Sequence, residues 1–343
     1  MENHELYMHR CLQLAAMGKR KTAPNPMVGA VIVHRSRIIG EGFHQYFGGP
    51  HAEIEAIRTV KDSSLLQYST LYVNLEPCNH TGKTPPCTEA ILANKIPKVV
   101  ISQTDPFVAV NGAGIERLKN NGVEVSIGLL ENESKFLNRR FITFHTKKRP
   151  YIILKWAVSS DGFMGVAGKN IRISNDATAL LTHQWRSQEQ AIMVGSRTII
   201  TDDPQLDTRL WPGENPLRVI LDQRGSLPLQ RNIFNGKQST LVFSGNPEIN
   251  YPNAHVLHIP DDENFLSNTL RELHARSIQS VLVEGGAATL KLFMKQDLWD
   301  EIRVFQSEKI LHEGIPAPDL PNGKSEESFI ENNTLKIIYK NRI

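Results

Sequence analysis

The feature that most constrains the fold is a histidine and two cysteines that lie far apart in the first part of the chain. His51 stands at the start of one predicted helix, Cys87 at the start of another, and Cys78 follows a predicted strand. One His and two Cys supply Zn²⁺ with three protein ligands and leave the fourth position to water, as a catalytic zinc site requires. The chain is therefore expected to bring two helix starts together around one zinc ion.

Glu53 lies two residues after His51, within the first turn of the same predicted helix. If that helix points its N-terminus at the metal, first-turn side chains diverge around it, and Glu53 can shuttle a proton without ligating zinc. His-x-Glu followed by Pro-Cys is the zinc nucleobase deaminase signature. Two other interpretations stay open, a structural zinc site and buried cysteines beside an incidental histidine.

Alternating strands and helices predict an α/β protein, and the length of 343 residues predicts two domains. In the first half, helices are predicted over 5–18, 51–60 and 88–94, and strands over 28–33, 70–75 and 99–102. A basic segment closed by proline, residues 145–150, marks the boundary. The predicted domains are therefore 1–146 and 147–343.

The second half continues the alternation of strands and helices. Strands are predicted over 151–158, 191–194, 217–221, 239–243, 281–283 and 302–305, and helices over 177–186, 265–275 and 287–295. The sequence contains no Gly-x-Gly-x-x-Gly motif, which argues against the usual dinucleotide-binding fold.

Composition excludes several classes of protein. The net charge of +3 is too small to predict nucleic-acid binding, and no apolar run approaches the roughly 20 residues of a membrane helix. The N-terminus lacks the basic-then-apolar pattern of a signal peptide, and three cysteines do not suggest a disulfide framework. The expected location is the cytoplasm, with Cys11 packed in a core. A homo-oligomer is compatible with the sequence, which leaves the oligomeric state open.

Several motifs of the first half occur together in one family. Common deaminases with this signature separate their cysteines by two residues, whereas residues 78–87 here read CNHTGKTPPC. The accompanying motifs are PNPMVG at 24–29, GFH at 42–44, GPHAE at 49–53 and NLEPC at 74–78. Taken together, they resemble the bifunctional riboflavin biosynthesis deaminase/reductase family.

This resemblance implies a first domain of cytidine-deaminase-like αβα layers. It would remove an amino group from 2,5-diamino-6-ribosylamino-4(3H)-pyrimidinone 5′-phosphate. By the same resemblance Asn25, His44 and Lys83 contact this phosphoribosyl pyrimidine. An Asn amide can donate and accept against a pyrimidine edge, and Lys83 can meet a phosphate. The plainer alternatives are a turn residue at Asn25 and a solvated charge at Lys83.

The second half carries LKWAVSSDG at 154–162, GSRT at 195–198, TDDPQLDTR at 201–209 and VEGG at 283–286. These motifs resemble the reductase domain of the same family, which implies a dihydrofolate-reductase-like α/β fold and NADPH. The resemblance assigns cofactor contacts to Ala157, Thr198, Asp202, Gly286, Ala287, Ala288, Thr289, Leu290, Lys291 and Leu292. It assigns substrate contacts to Asn170, Arg186, Leu206, Arg209 and Glu284.

The residue chemistry is compatible with that assignment. Two glycines before a helix let the chain approach a ligand closely, and the helix start favours phosphate. Arg186 and Arg209 can form paired bonds to phosphate. Lys155 and Glu284 are placed for proton transfer while the cofactor supplies hydride. The implied reaction reduces the ribose of 5-amino-6-(5-phosphoribosylamino)uracil to ribityl. A tight turn and ordinary surface charges are the alternatives.

Arg172 departs from the family pattern, which commonly has an aromatic residue, usually Trp, at this place. A planar guanidinium can stack on rings and can also meet phosphate. Arg172 is therefore predicted to cover part of the NADPH, the alternative being that it points into solvent.

Two other functions stay open at this stage. One is a tRNA or nucleoside deaminase with an unrelated second domain, against which the long cysteine loop and the modest charge both count. The other is a zinc-stabilised binding protein without catalysis. An intact Glu53 beside all three ligands weighs against it.

Overall fold

The computed structural model describes residues 3–81, 85–106, 112–169, 171–322 and 325–340. Contacts divide the chain into two compact units, the first ending at Lys148 and the second beginning at Arg149. The predicted boundary lies two residues before this division. Each unit has a sheet of its own.

The first unit contains five strands and six α-helices among its described residues. The strands are β1 Gly29–His34, β2 Arg37–Phe43, β3 Thr70–Leu75, β4 Lys98–Gln103 and β5 Glu124–Ile127. The helices are α1 His4–Ala16, α2 Ala52–Thr59, α3 Cys87–Ala93, α4 Ala113–Asn120, α5 Glu131–Leu137 and α6 Arg139–Lys147. The strand order is β2-β1-β3-β4-β5, with β1 antiparallel to both neighbours and β3, β4 and β5 parallel.

Both faces of this sheet are covered by helices, which confirms the predicted αβα layers. Strand residues alternate between the faces, so Val31 packs with α1 and Ile32 packs with α2, α3 and α4. Cys11 lies fully buried on the α1 side, as the sequence predicted.

A glycine in β2 brings α2 close to the sheet. A Cβ added at Gly42 would lie 2.3 Å from the backbone nitrogen of Ala56, so only a bare backbone fits between helix and strand. The start of α2, where His51 stands, is thereby held next to the end of β2, where His44 follows.

The second unit contains nine strands and four α-helices among its described residues. The strands are β6 Tyr151–Val158, β7 Ala191–Gly195, β8 Leu217–Leu221, β9 Thr240–Ser244, β10 His255–His258, β11 Ser280–Val283, β12 Glu301–Ser307, β13 Ser325–Ile330 and β14 Asn333–Tyr339. The helices are α7 Asp176–Gln188, α8 Ser196–Asp202, α9 Phe265–Ala275 and α10 Ala287–Lys295.

These strands form one mixed sheet in the order β10-β9-β8-β7-β11-β6-β12-β14-β13. The first seven run parallel, and β14 and β13 are antiparallel to their neighbours. Helices α9 and α10 pack on one face, and α7 and α8 pack on the other. The predicted α/β class is confirmed for this unit too. The carboxyl ends of β6, β7 and β11 meet at one edge of the sheet.

Candidate active sites

The two helix starts of the first unit converge as predicted. His51 is the residue before α2, and Cys87 is the first residue of α3. The ligand atoms of His51, Cys78 and Cys87 all lie within 4.8 Å of one another. Nδ1 of His51 is 3.2 Å from Sγ of Cys87 and 3.4 Å from Sγ of Cys78.

These separations fit one tetrahedral zinc ion. Zn–N and Zn–S bonds of ordinary length, joined at a tetrahedral angle, separate the nitrogen and sulfur atoms by about 3.5 Å. Backbone bonds support the arrangement, because the N–H of Cys87 points at Cys78 Sγ at 3.4 Å and that of Thr88 donates to the Cys78 carbonyl. The three protein ligands thus leave room for a fourth, as catalytic zinc requires.

The two sulfur atoms differ in their proton affinity. A hydrogen bond from the Cys87 thiol and another from His51 lower the pKa of Cys78, although burial acts in the opposite direction. The pKa of Cys87, in contrast, is raised by its hydrogen bond with Cys78 and by burial. Two cysteine sulfurs and an imidazole nitrogen are a donor set that suits zinc.

Glu53 lies in the first turn of α2 and is 3% exposed. Its Oε2 atom has no hydrogen-bond partner among the described residues. Burial, followed by the charge of Cys78, raises the pKa of this carboxyl to about 7. The cluster that comes within ligand distance contains His51 and both cysteines but not Glu53.

A cavity of about 330 Å³, a size that suits a small-molecule substrate, is lined by two members of the metal cluster, His51 and Cys78. Glu53, Asn25 and His44 line it, together with Asp105, Phe141 and His145. The structure therefore brings two of the three predicted substrate contacts to the same cavity as the metal cluster. The third, Lys83, lies outside the described residues.

Asn25 and His44 orient each other. Nδ1 of His44 is 2.9 Å from the Pro50 carbonyl, so this nitrogen carries the proton. Nε2 of His44 therefore accepts from the Asn25 amide at 3.1 Å. Burial lowers the pKa of His44, which keeps the ring neutral. The amide oxygen of Asn25 is left to accept a hydrogen bond from a ligand.

Two asparagines that the sequence reasoning did not select for the site fix the segment before β1. Asn138 accepts from Met27 N at 2.8 Å, and Asn74 accepts from Gly29 N at 2.8 Å. Both amides also donate to the Met27 carbonyl. They act across 111 and 45 positions of sequence, so no local pattern could have identified them.

In the second unit, Glu284 follows β11 and is bound by two cations. Arg186 donates Nε to Oε1 at 2.7 Å and Nη2 to Oε2 at 2.8 Å, a two-pronged pair. Lys155 Nζ lies 3.9 Å from Oε2. Three residues predicted for substrate contact or proton transfer therefore form one cluster at the carboxyl edge of the sheet.

Electrostatics assign different protonation behaviour to the members of this cluster. Burial opposes the charge of Glu284, but Arg186 and Lys155 outweigh it and hold the pKa at about 2. Burial lowers the pKa of Lys155 from its ordinary value of 10.5, partly offset by Glu284. Glu284 thus remains an anion, while Lys155 is the member whose proton is more easily released.

His183 belongs to the same environment, and the sequence reasoning overlooked it. It is 4% exposed, and its Nδ1 has no hydrogen-bond partner in the described part of the chain. Burial, then the charges of Arg186 and Arg209, lower its pKa to about 4. A usable signal existed, because His183 precedes Arg186 by three positions and therefore shares its helix face.

Gly285 and Gly286 at the start of α10, with Gly195 nearby, expose their backbone; this segment is called the α10 cradle below. Gly286 adopts φ +58°, and no side chain caps the helix. A Cβ at Gly285 would lie 2.8 Å from Val194 Cγ1, and one at Gly195 would lie 2.5 Å from Thr289 Oγ1. The predicted cofactor residues Thr198, Gly286 and Thr289 therefore converge on bare backbone, an arrangement that suits the phosphates of NADPH.

The other predicted cofactor residues have varied surroundings. Ala157 and Ala287 are partly buried, whereas Asp202, Ala288 and Lys291 are exposed. Leu290 is fully buried in the core, and Leu292 packs against the same core. Because the Leu290 side chain is enclosed, any contact of this residue with a ligand would come from its backbone.

Three further predicted residues of this unit, Leu206, Arg209 and Arg172, make contacts other than those of the α10 cradle. Leu206 is buried at φ +55°, and Arg209 is exposed and paired with Asp207. Arg172 is 55% exposed, and it pairs with Asp176 at 2.6 Å. Asn170 lies outside the described residues.

Comparison with known proteins assigns a family to each half. Residues 1–103 match the family described as the cytidine and deoxycytidylate deaminase zinc-binding region. Residues 150–327 match the RibD C-terminal domain. The second domain is therefore not an unrelated appendage, and the alternative of a tRNA or nucleoside deaminase with such a domain is wrong.

Relatives extend over nearly the whole chain. The riboflavin biosynthesis protein RibD of Aquifex aeolicus is 38% identical, over 94% of this chain and 92% of its own length. That of Bacillus amyloliquefaciens is 37% identical, over 95% of this chain and 90% of its own length.

A solved structure shows the same similarity. The Thermotoga maritima diaminohydroxyphosphoribosylaminopyrimidine deaminase/5-amino-6-(5-phosphoribosylamino)uracil reductase is 38% identical, with a TM-score of 0.89 and 98% of both chains covered.

Among the described residues, no helix combines the length and apolar character needed to cross a membrane.

Proposed function

The chain belongs to the bifunctional riboflavin biosynthesis deaminase/reductase family, and on this basis we propose how its residues perform the two reactions. The first unit is the deaminase and the second is the reductase. The observation that carries the proposal is the convergence of His51, Cys78 and Cys87 on one point beside a cavity that His51, Cys78 and Glu53 line.

In the deaminase, His51, Cys78 and Cys87 hold zinc. Zinc held there supplies Lewis-acid activation of water at neutral pH. Glu53 takes a proton from the attacking water and returns it to the departing amine, because it lines the cavity and one of its oxygens has no hydrogen-bond partner among the described residues. The amino-bearing carbon of the pyrimidinone gains oxygen, and ammonia leaves.

Asn25 and His44 orient the pyrimidine for this reaction. The His44 ring fixes the direction of the Asn25 amide, so that Asn25 Oδ1 accepts from an N–H on the edge of the base. Lys83 is assigned to the substrate phosphate on the family motif alone.

In the reductase, bound NADPH would supply the hydride for ribose C1′ of the aminouracil, and the ring oxygen would take up a proton as the ring opens to ribityl. Lys155 is the proton donor, because its pKa is lowered while Glu284 stays ionised. Glu284 holds Lys155 and Arg186 in place. Arg186, Arg209, Leu206 and Asn170 are assigned to the substrate.

The α10 cradle, with Thr198 and Thr289, would hold the phosphates of NADPH, and Ala157, Asp202 and Arg172 would line the rest of the cofactor site. To contact the cofactor, Arg172 would have to break its ion pair with Asp176. NADPH should therefore bind more weakly to Arg172→Ala than to Arg276→Ala, since Arg276 forms a similar exposed pair with Glu272.

The test of both reactions is product mass after incubation of pure protein with the pyrimidinone 5′-phosphate. Without NADPH, the product should be about 1 Da heavier, because an amino group is replaced by oxygen. With NADPH, it should gain about 2 Da more, because a hydride and a proton are added. An unchanged substrate in both reactions would contradict the proposal.

A further inference from the structure

Glu76 is a buried carboxylate that neither reaction described above uses. It is 4% exposed and lies two residues before Cys78. No cation pairs with it among the residues that the structure describes. Instead, its oxygens accept hydrogen bonds from four backbone N–H groups of those residues, and these bonds stabilise its negative charge.

Those four donors come from two separate pieces of chain. Oε1 accepts from Gly114 at 2.9 Å and from Ile115 at 3.4 Å, both in the first turn of α4. Oε2 accepts from Gly112 at 2.9 Å, just before α4. It also accepts from Asp105 at 3.2 Å, and Asp105 lines the deaminase cavity.

A capping role for α4 explains only part of this arrangement. First-turn N–H groups lack partners within a helix, and a carboxylate there is favourable. Asp105, however, is outside α4. The carboxylate also does not belong to the cap residue Gly112, because Glu76 precedes Gly112 by 36 positions. Glu76 therefore joins the end of β3 to the cavity wall as well as to the helix.

A close backbone contact reinforces the link. A Cβ added at Gly114 would lie 2.0 Å from the carbonyl oxygen of Pro77, so α4 touches the residue directly before Cys78. Glu76 N also donates to the Gln103 carbonyl at 3.0 Å, which ties the same segment to the end of β4.

We propose that Glu76 is a positioning residue of the deaminase site, which fixes the zinc ligand Cys78 and the cavity residue Asp105 relative to each other. The inference rests on the proposed deaminase function. Glu76 acts through the backbone of the Glu76–Cys78 segment and of α4, and takes no part in the proton transfer assigned to Glu53.

The test compares Glu76→Gln with Glu89→Gln. Gln keeps the size of Glu76 but turns an NH₂ group toward two of the four N–H donors. Glu89 also links α3 to α4, but it does so through an exposed pair with Arg117, and it serves as the control. Zinc transfer to a chelator should become about tenfold faster in Glu76→Gln, since partners behind metal ligands typically change affinity by that factor or more. Deamination kcat/KM should fall, and aminouracil reduction should not change.

Normal zinc release and normal deamination in a folded Glu76→Gln protein that is only less heat-stable would overturn the proposal. A second measurement needs no variant. Amide hydrogens of Gly112, Gly114 and Ile115 should exchange slowly in the zinc-loaded wild-type protein, and exchange at the unprotected rate would also overturn it. Measurements of zinc release and of amide hydrogen exchange require no substrate. If the wild-type protein failed to deaminate, the proposed function would be contradicted, but these two measurements would still decide the role of Glu76.

Discussion

Glu53 and Glu55 lie in the same turn of α2 but have different surroundings. Glu53 is buried with a free oxygen, whereas Glu55 accepts a hydrogen bond from Arg58 at 2.9 Å. Glu53→Gln should keep one zinc per chain and lose deamination by at least about a hundredfold, because the proton carrier is gone and the ligands remain. Glu55→Gln should match the wild type. Rates and metal content measured on both variants check this.

Loss of zinc from Glu53→Gln would make Glu53 a ligand and contradict the assignment. So would full deamination by a Glu53→Gln protein that retains zinc.

Lys155 should control the pH dependence of the reduction. A proton donor is active while protonated, so the rate should be highest below the pKa of Lys155 and should fall as pH rises through it. Because burial lowers that pKa, the fall should be centred below the ordinary value of 10.5. Glu284, with a pKa of about 2, should contribute no change near neutral pH. A pH–rate profile of kcat for reduction checks this.

The matched comparison uses Lys155→Met and Lys336→Met. Lys336 lies in the same sheet and pairs with Glu327 at 3.0 Å. Its variant should keep the alkaline fall in rate, whereas Lys155→Met should reduce poorly at every pH. An unchanged profile in Lys155→Met would remove Lys155 from the mechanism.

The sequence motifs pointed to residues of the candidate sites, but they did not show which of these residues contact one another. Arg186 and Glu284 were both predicted to contact the substrate, and the structure shows that they also bind each other across 98 positions. The partners of Glu76 are 29 to 39 positions away. Pairings of this kind depend on how strands and helices pack, so spacing along the chain does not reveal them.

At the scale of elements, the start of α10 offers a prediction for the cofactor. Gly286 has φ +58°, and a Cβ there would lie 3.2 Å from Thr198 Oγ1. Gly286→Ala should therefore weaken NADPH binding by narrowing the cradle, beyond the cost of the backbone conformation itself. Gly236→Ala also introduces a Cβ at positive φ (+74°), with 3.5 Å of space to Asn253, and should bind NADPH normally.

Equal NADPH affinity in Gly286→Ala and Gly236→Ala would place the cofactor phosphates away from α10. The affinity can be followed by fluorescence titration, and thermal unfolding checks that both variants are folded at the temperature of the titration.

Every predicted strand has a run of buried residues, whereas β2, β5, β10, β13 and β14 were not predicted. Strands such as β6, β7 and β8 follow the predicted ranges within one residue. β13, with the sequence SEESFI, is exposed at its first five positions and has no apolar alternation to detect. β2 contains two glycines that make room for α2, so its pattern also lacks the usual signal. These two strands depend on their partners in the sheet.

At the scale of the whole molecule, each of the two units is assigned one of the two reactions. The zinc cluster and its cavity are formed by residues before Lys148, and the Lys155–Arg186–Glu284 cluster by residues after Arg149. Each unit has its own sheet and its own core. A change within one site should therefore leave the chemistry of the other intact.

The most direct test measures both reactions in two single variants, with product mass as the readout. Glu53→Gln should fail to convert the pyrimidinone but should reduce supplied 5-amino-6-(5-phosphoribosylamino)uracil at the wild-type rate. Glu284→Ala should deaminate normally and should fail to reduce, because Arg186 and Lys155 lose the carboxylate that holds them. Loss of both reactions from either variant, in protein that remains folded, would contradict the claim of two independent sites.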